Sequence, residues 1–318
     1  MRLKLIPDDT TFDFMGWRKL AVGLSAALIV ASLAVTALVG LNFGIDFRGG
    51  IMIEARTEGP ADIGAIRSAA GGLGLGDVAV QEFGAPEDVL IRIEAQDGEG
   101  DAQMQVVGQV EAALTEAIGG IEFRRVEVVG PKVSGELVQQ GALAVGLAVV
   151  FMLIYIWLRF EWQFALGAVL ALVHDVILTI GVFSATSLEF NLSIIAALLT
   201  IVGYSLNDTV IVFDRIRENL RKFKQMPLSE VLNLSINETL SRTLMTSGTT
   251  LVALIALWAL GGEVIRGFTL AMIWGIVVGT YSSIFIASVL VLRMGVKRDW
   301  SKPDKAGPSG TNFSGAQV

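Results

Sequence analysis

The sequence predicts a polytopic α-helical membrane protein, with six transmembrane helices and one external ferredoxin-like α+β (βαββαβ) domain between the first and second spans. Three observations carry this reading. The chain of 318 residues is 53% hydrophobic and only 17% charged, with a mean hydropathy of +0.63, a balance that suits a membrane protein better than a soluble domain. Six segments match the length of about 20 residues that a helix needs to cross the hydrocarbon core of a bilayer. The acid behind the net charge of −7 is concentrated in one stretch, Leu41–Glu136, which holds seventeen Asp and Glu against seven Lys and Arg, while the rest of the chain is net positive by three. That asymmetry is a topology signal rather than a cue for nucleic acid.

Residues 1–19 form a basic N-terminus, followed by the first span, Leu20–Leu41. This span follows Arg18 and Lys19, has no convincing small-x-small cleavage site behind it, and exceeds the ~7–15-residue apolar core of a signal peptide, so it reads as a retained anchor. The remaining spans are expected at Leu137–Leu158, Phe164–Ser184, Leu192–Phe213, Leu244–Leu260 and Phe268–Leu292, making 137–293 a five-helix domain with a loop at 215–242. Sixteen of the 24 basic residues fall at the N-terminus, at Arg159, between Arg215 and Arg242, and from Arg293 to Lys305. Basic loops stay in the cytoplasm, so both termini are expected inside and 42–136 outside. The tail 294–318, rich in Gly, Ser and Pro, has too little apolar content to fold and reads as disordered.

Within 42–136, the runs IMIEAR (Ile51–Arg56), VAVQEF (Val78–Phe83), VLIRIEA (Val89–Ala95) and EFRRVEVV (Glu122–Val129) are short β-branched segments, the third alternating cleanly. Helical patterns lie between them at Pro60–Ala70 and Ala102–Ile118. The resulting order, βαββαβ, is the split-βαβ arrangement. Nothing catalytic shows in it, and a platform for a partner or a plain spacer would look the same. GGLGLG (Gly71–Gly76) precedes a strand rather than a helix, so it reads as a turn and not as a phosphate loop. With no cysteine in the chain, disulfides, thiolate metal sites and cysteine nucleophiles are excluded. No metal-ligand cluster or cofactor motif is visible, and enzyme chemistry is not expected.

Polar residues inside the spans carry the functional signal, because an ionised Asp near the centre of a membrane helix costs roughly 2.5–3.5 kcal/mol on insertion scales. In GYSLNDTVIVFDR (Gly203–Arg215), Asp208 lies more than a turn inside the expected edge and shares a helix face with Ser205, Val212 and Arg215, with Asn207 and Thr209 beside it. Asp214 sits at the edge, where an interfacial charge beside basic residues explains it. In Leu170–Val182, His174 is the only histidine of the chain and Asp175 follows it. Imidazole titrates near pH ~6.5 in water, so the two suit either a proton relay or an interhelical packing bond. Neighbours on a helix point about 100° apart, so a tight mutual pair is not expected. Arg242 opens the fifth span, where it either snorkels to headgroups or turns toward Asp208. Gly275, Gly279, Ser283 and Ala287 recur every four residues and form a smooth ridge for close helix packing.

LNFGIDFRGG (Leu41–Gly50), GYSLNDTVIVFDRIREN (Gly203–Asn219) and LSRTLMTSGTT (Leu240–Thr250), with HDV at His174–Val176, together resemble the SecF family, the smaller half of the SecD/SecF accessory of the bacterial protein-export translocon, related to the resistance-nodulation-division transporters. The resemblance runs from the first span to the sixth. It implies a multi-pass protein of the bacterial inner membrane that pairs with SecD, works with SecYEG, SecA, YajC and YidC, and uses the proton-motive force to assist export of unfolded preproteins. It implies no cofactor, protons being the coupling ion. Carried over by motif, Asp208 is the proton-binding aspartate and Arg242 its charged companion, with Ser205, Asn207 and Thr209 around them, while Asp46, Arg48, Gly49 and Gly50 belong to the external motif. A proton-driven exporter half for a small molecule or lipid, and a passive scaffold of the translocon, are the rival readings.

Overall fold

The computed structural model describes residues 10–96 and 100–296. The start of the N-terminal segment and, from residue 297 on, the tail expected at 294–318 lie outside the described residues. Helix α1 (Arg18–Val39) leads into a two-residue strand β1 (Asn42–Phe43) and a short helix α2 (Ile45–Arg48). The α+β region follows as β2 (Gly50–Thr57), α3 (Ile63–Gly71), β3 (Val78–Phe83), β4 (Ala85–Ile93), α4 (Gly100–Ile118) and β5 (Ile121–Val129). Then come α5 (Pro131–Arg159), α6 (Trp162–Thr186), a two-residue strand β6 (Glu189–Phe190), α7 (Leu192–Lys222), α8 (Leu228–Leu260) and α9 (Glu263–Ser282), which runs through a π turn (Ser283–Ala287) into α10 (Ser288–Met294).

The four longer strands form one sheet in the order β3-β4-β2-β5, antiparallel throughout. This is the βαββαβ arrangement the strand pattern predicts. Alternation decides its two faces: Ile51, Ile53, Ala55, Val89, Ile91 and Ile93 turn toward Ile66, Val107, Val110 and Leu114 of the two helices. From the opposite face Met52 and Leu90 pack on Ile45 of α2. Gly74 and Gly76 take positive φ of 70° and 83° in the link from α3 to β3, so GGLGLG is indeed a turn.

Among the described residues, six helices are long and apolar enough to cross a membrane. They are not equally enclosed. Half of the apolar window of α6 and 61% of that of the α9–α10 helix are buried, against 6% for α1 and α5 and 11% for α8. The inner helices α6, α7 and α9 therefore form the packed centre, and the outer three leave apolar faces for lipid or a partner.

The segment 215–242, expected as a loop, is instead the extension of α7 and the start of α8, joined by only Phe223–Pro227. Its high charge hides a helical repeat: Val212, Phe213, Ile216 and Leu220 pack on Val231, Leu232, Ile236 and Leu240. Charged side chains on the outer faces pair as Arg215–Glu238 at 2.7 Å and Arg159–Asp214 at 2.7 Å. Asp214 thus stands among basic residues, about two turns before the end of the extended α7, with Arg217 also close.

The ridge of small residues also meets its partners. Gly275 lies against Ile201, and a Cβ at Gly279 would stand 2.9 Å from the Ser205 Cβ, so α9 approaches α7 as closely as backbones allow. Further along, a Cβ on Gly167 of α6 would lie 3.1 Å from the Ala287 carbonyl, in the π turn. Such turns insert one residue into the helical ladder and redirect the chain.

Candidate functional site

Asp208 is 2% exposed, at the α7 face that meets α8. Its Oδ1 accepts a hydrogen bond of 3.3 Å from the Thr243 hydroxyl, while its Oδ2 is buried without a partner. Thr209, 1% exposed, likewise leaves its hydroxyl unmatched. Arg242 and Asn207 are exposed, and no ion pair joins Arg242 to Asp208. The helical wheel explains this: Thr243, the next residue, occupies the direction that faces α7, and Arg242 is carried about 100° away from it. Polar groups buried in a membrane are usually satisfied, and the open Asp208 oxygen departs from that rule.

Ser205 shares the Asp208 side of the wheel by spacing, yet the structure sends it elsewhere. Its hydroxyl donates to Asp175 Oδ2 at 2.6 Å, and Ser282 of α9 donates to the same oxygen at 2.8 Å. His174 Nδ1 stands 2.9 Å from Asp175 Oδ1, so the two neighbours do form the tight pair that their angular separation argued against. Both side chains fold into one buried space, where the low local dielectric strengthens the bond. The imidazole stacks on Tyr281 at 6.2 Å between centroids, and Tyr281 Oη reaches Ser25 and the Ala21 carbonyl of α1. Asp175 therefore joins α6, α7 and α9, and Asp208 lies outside this cluster.

The motif after the first span forms the joint between the α+β region and the bundle. β1 pairs in parallel with β6, Asn42 opposite Glu189 and Phe43 opposite Phe190. Asp46 Oδ2 accepts from the Leu192 backbone N–H at 2.9 Å, and the Asn191 side chain accepts from Ile194. Together they cap the helix that carries Asp208, where the N-terminal partial positive charge favours a carboxylate. Arg92, from β4, donates to Asn42 and to the Phe43 carbonyl and stands 3.9 Å from Glu189. Burial pushes the Glu189 carboxyl up, with Arg92 acting in the opposite direction.

Gly49 and Gly50 are required by backbone geometry. Their φ values are +73° and +125°, a region that side chains strain to occupy, and a Cβ on Gly50 would overlap the Ile93 carbonyl. Arg48 is exposed, its guanidinium 5.9 Å from the centre of the Phe43 ring.

Of the expected site residues, Asp208 and Thr209 stand together beside α8, Ser205 joins His174 and Asp175, and Asp46 ties the external motif to α7. Thr243, Ser282, Tyr281, Arg92 and Glu189 complete these clusters. Hydroxyls are common in membrane helices and charges are common on solvated strands, so no spacing rule separates these five from their neighbours. Among the described residues no group of three or more His, Cys, Asp or Glu is placed to hold a metal.

Known proteins match this architecture throughout. Residues 109–297 match the family described as "Protein export membrane protein SecD/SecF, C-terminal", and residues 36–61 match the "SecD/SecF GG Motif". The protein translocase subunit SecF of Cereibacter sphaeroides is 51% identical, over 98% of this chain and 98% of its own length. That of Rhodobacter capsulatus is 50% identical over 99% and 98%, and that of Vibrio alginolyticus 45% over 98% of each. Among solved structures, SecDF from Thermus thermophilus, described as a translocon-associated membrane protein, superposes with a TM-score of 0.82 at 36% identity, over 92% of this chain. This chain spans 39% of that longer one. With a family profile covering more than half of its length and relatives at this level of identity from end to end, the chain belongs to the SecF protein translocase subunits of the SecD/SecF family.

Proposed function

We propose that this chain works with a SecD partner as an accessory of the Sec translocon, using the proton-motive force to assist preprotein export across the bacterial inner membrane. In this reading the α+β region lies outside and both termini inside, and SecYEG and SecA supply the channel and the motor. Asp208 is the residue that takes up and releases the coupling proton. One observation supports this most directly: a carboxylate buried in the bundle keeps one oxygen without a partner, beside the sparsely covered helix α8.

The chemistry follows from that setting. As a carboxylate, Asp208 needs a counter-charge, and Arg242 or a group from SecD at the α7–α8 seam supplies it. Protonation from the outside removes the charge, the attraction lapses, and α7 and α8 repack. Because α7 starts at the joint that holds β1, β6 and Asp46, its movement reaches the external region. One charge moved through ~100 mV yields about 2.3 kcal/mol, enough to shift a balanced two-state equilibrium about fifty-fold. That magnitude suits a bias on a chain already in transit.

The test is proton-gradient-driven export in membrane vesicles containing the full complex. Asp208→Asn is expected to abolish the gradient-dependent part and leave ATP-driven export in place. Unchanged gradient dependence would leave the protein a scaffold.

A further inference from the structure

We propose that His174 and Asp175 form a second proton-binding site of the bundle, separate from Asp208, in which the proton adds to His174 Nε2. The inference deepens the functional reading above and rests on it for its purpose, but the site itself stands on geometry. Asp175 is fully buried and accepts from two neutral hydroxyls, Ser205 on α7 and Ser282 on α9. Among the described residues its one ion-pair partner is His174, itself 2% exposed. The contact at 2.9 Å joins Nδ1 to Asp175 Oδ1, and in this proposal Asp175 is the accepting carboxylate and the Nδ1–H its donor. Nε2 is then a bare lone pair, and it is buried with no hydrogen-bond partner.

A hydronium ion gives its proton to Nε2, an N–H bond forming as one O–H bond breaks and a neutral water leaves, while Asp175 stays a carboxylate. The cluster goes from one uncompensated negative charge to a neutral imidazolium–carboxylate pair. In a medium of low dielectric that exchange is favourable, because a lone buried charge costs more than a contact pair. Tyr281, stacked on the ring from α9, is the other titratable group in contact with it. From α1 the cluster is faced by Ser25, through Tyr281, and from α7 by Ser205. Asp208 bonds instead to Thr243 of α8. One turn of α7 thus presents Ser205 to the α6 carboxylate and Asp208 to the neighbouring α8 seam, so two proton sites lie along adjoining edges of one helix face.

His174 is the only histidine of the chain, which makes the test specific. The full chain, labelled with ¹⁵N-histidine and placed in lipid bilayers, is followed by solid-state NMR from pH 9 to pH 5. The expected result is one protonated and one bare ring nitrogen at high pH, with the bare resonance moving to the protonated position as pH falls. Asp175→Asn should move that transition to lower pH or remove it, while Asp208→Asn leaves it in place. A bare Nε2 across the whole range overturns the proposal, as does a transition that Asp175→Asn does not move. A titrating His174 together with unaffected export in Asp208→Asn would instead sink the functional reading and leave this site standing.

Discussion

Replacing Asp46 by Ala tests how tightly the external motif is tied to α7. In the structure its carboxylate takes the Leu192 N–H at 2.9 Å, in a half-buried position, while Asn191 serves Ile194 further into the first turn. Removing the acceptor leaves that N–H without a partner, at about 1–3 kcal/mol, and withdraws a favourable helix-terminus charge within the same range. Tenfold in an equilibrium constant is about 1.4 kcal/mol, so the opening of this turn should become about 5- to 150-fold more frequent. Hydrogen–deuterium exchange of the full chain in lipid nanodiscs reads this directly, as faster exchange at residues 192–195 with little change around Asp208. Asp46→Asn, which keeps an acceptor but loses the charge, should fall between wild type and Ala. If both variants exchange at the wild-type rate in this turn, the carboxylate contributes nothing there, and the joint must rest on the β1–β6 pairing and the surrounding phenylalanines.

Two further outcomes follow from the same region. Gly50→Ala combines a positive φ with overlap on the Ile93 carbonyl, and the backbone strain alone is about 1–3 kcal/mol. It should lower the melting temperature of the full chain in nanodiscs more than Gly59→Ala, where a Cβ meets nothing within 4 Å. For Glu189, burial raises the folded-state pKa, so its protonated form suits the fold. That contribution is fully present below the unfolded pKa and is lost as pH rises through the folded one. Glu189→Gln should therefore be more stable than wild type at neutral pH, with the advantage vanishing toward pH ~4. A melting-temperature difference that does not depend on pH would contradict this.

The regular elements were legible because each leaves a periodic trace. Alternation in β4 and the helical repeat in α4 depend only on neighbours in the chain, and the strand VAVQEF appears with its expected bounds, Val78–Phe83. The failure at 215–242 has the same origin. Charge density there masked the buried Ile216 and Leu220, which continue the apolar repeat of the span and become visible only against the facing helix.

What the sequence by itself determined was the membrane class, the six spans, the βαββαβ region and the presence of carboxylates too costly to keep in lipid without a reason. Each follows from composition and local periodicity. Only the tertiary structure decided how those carboxylates are shared out. Ser205 and Asp208 are three residues apart on one helix, yet one bonds to Asp175 across α6 and the other meets Thr243 on α8. The partners come from the preceding and the following helix, 30 and 35 residues away in the chain, so which hydroxyl meets which carboxylate depends on how those helices pack rather than on local periodicity.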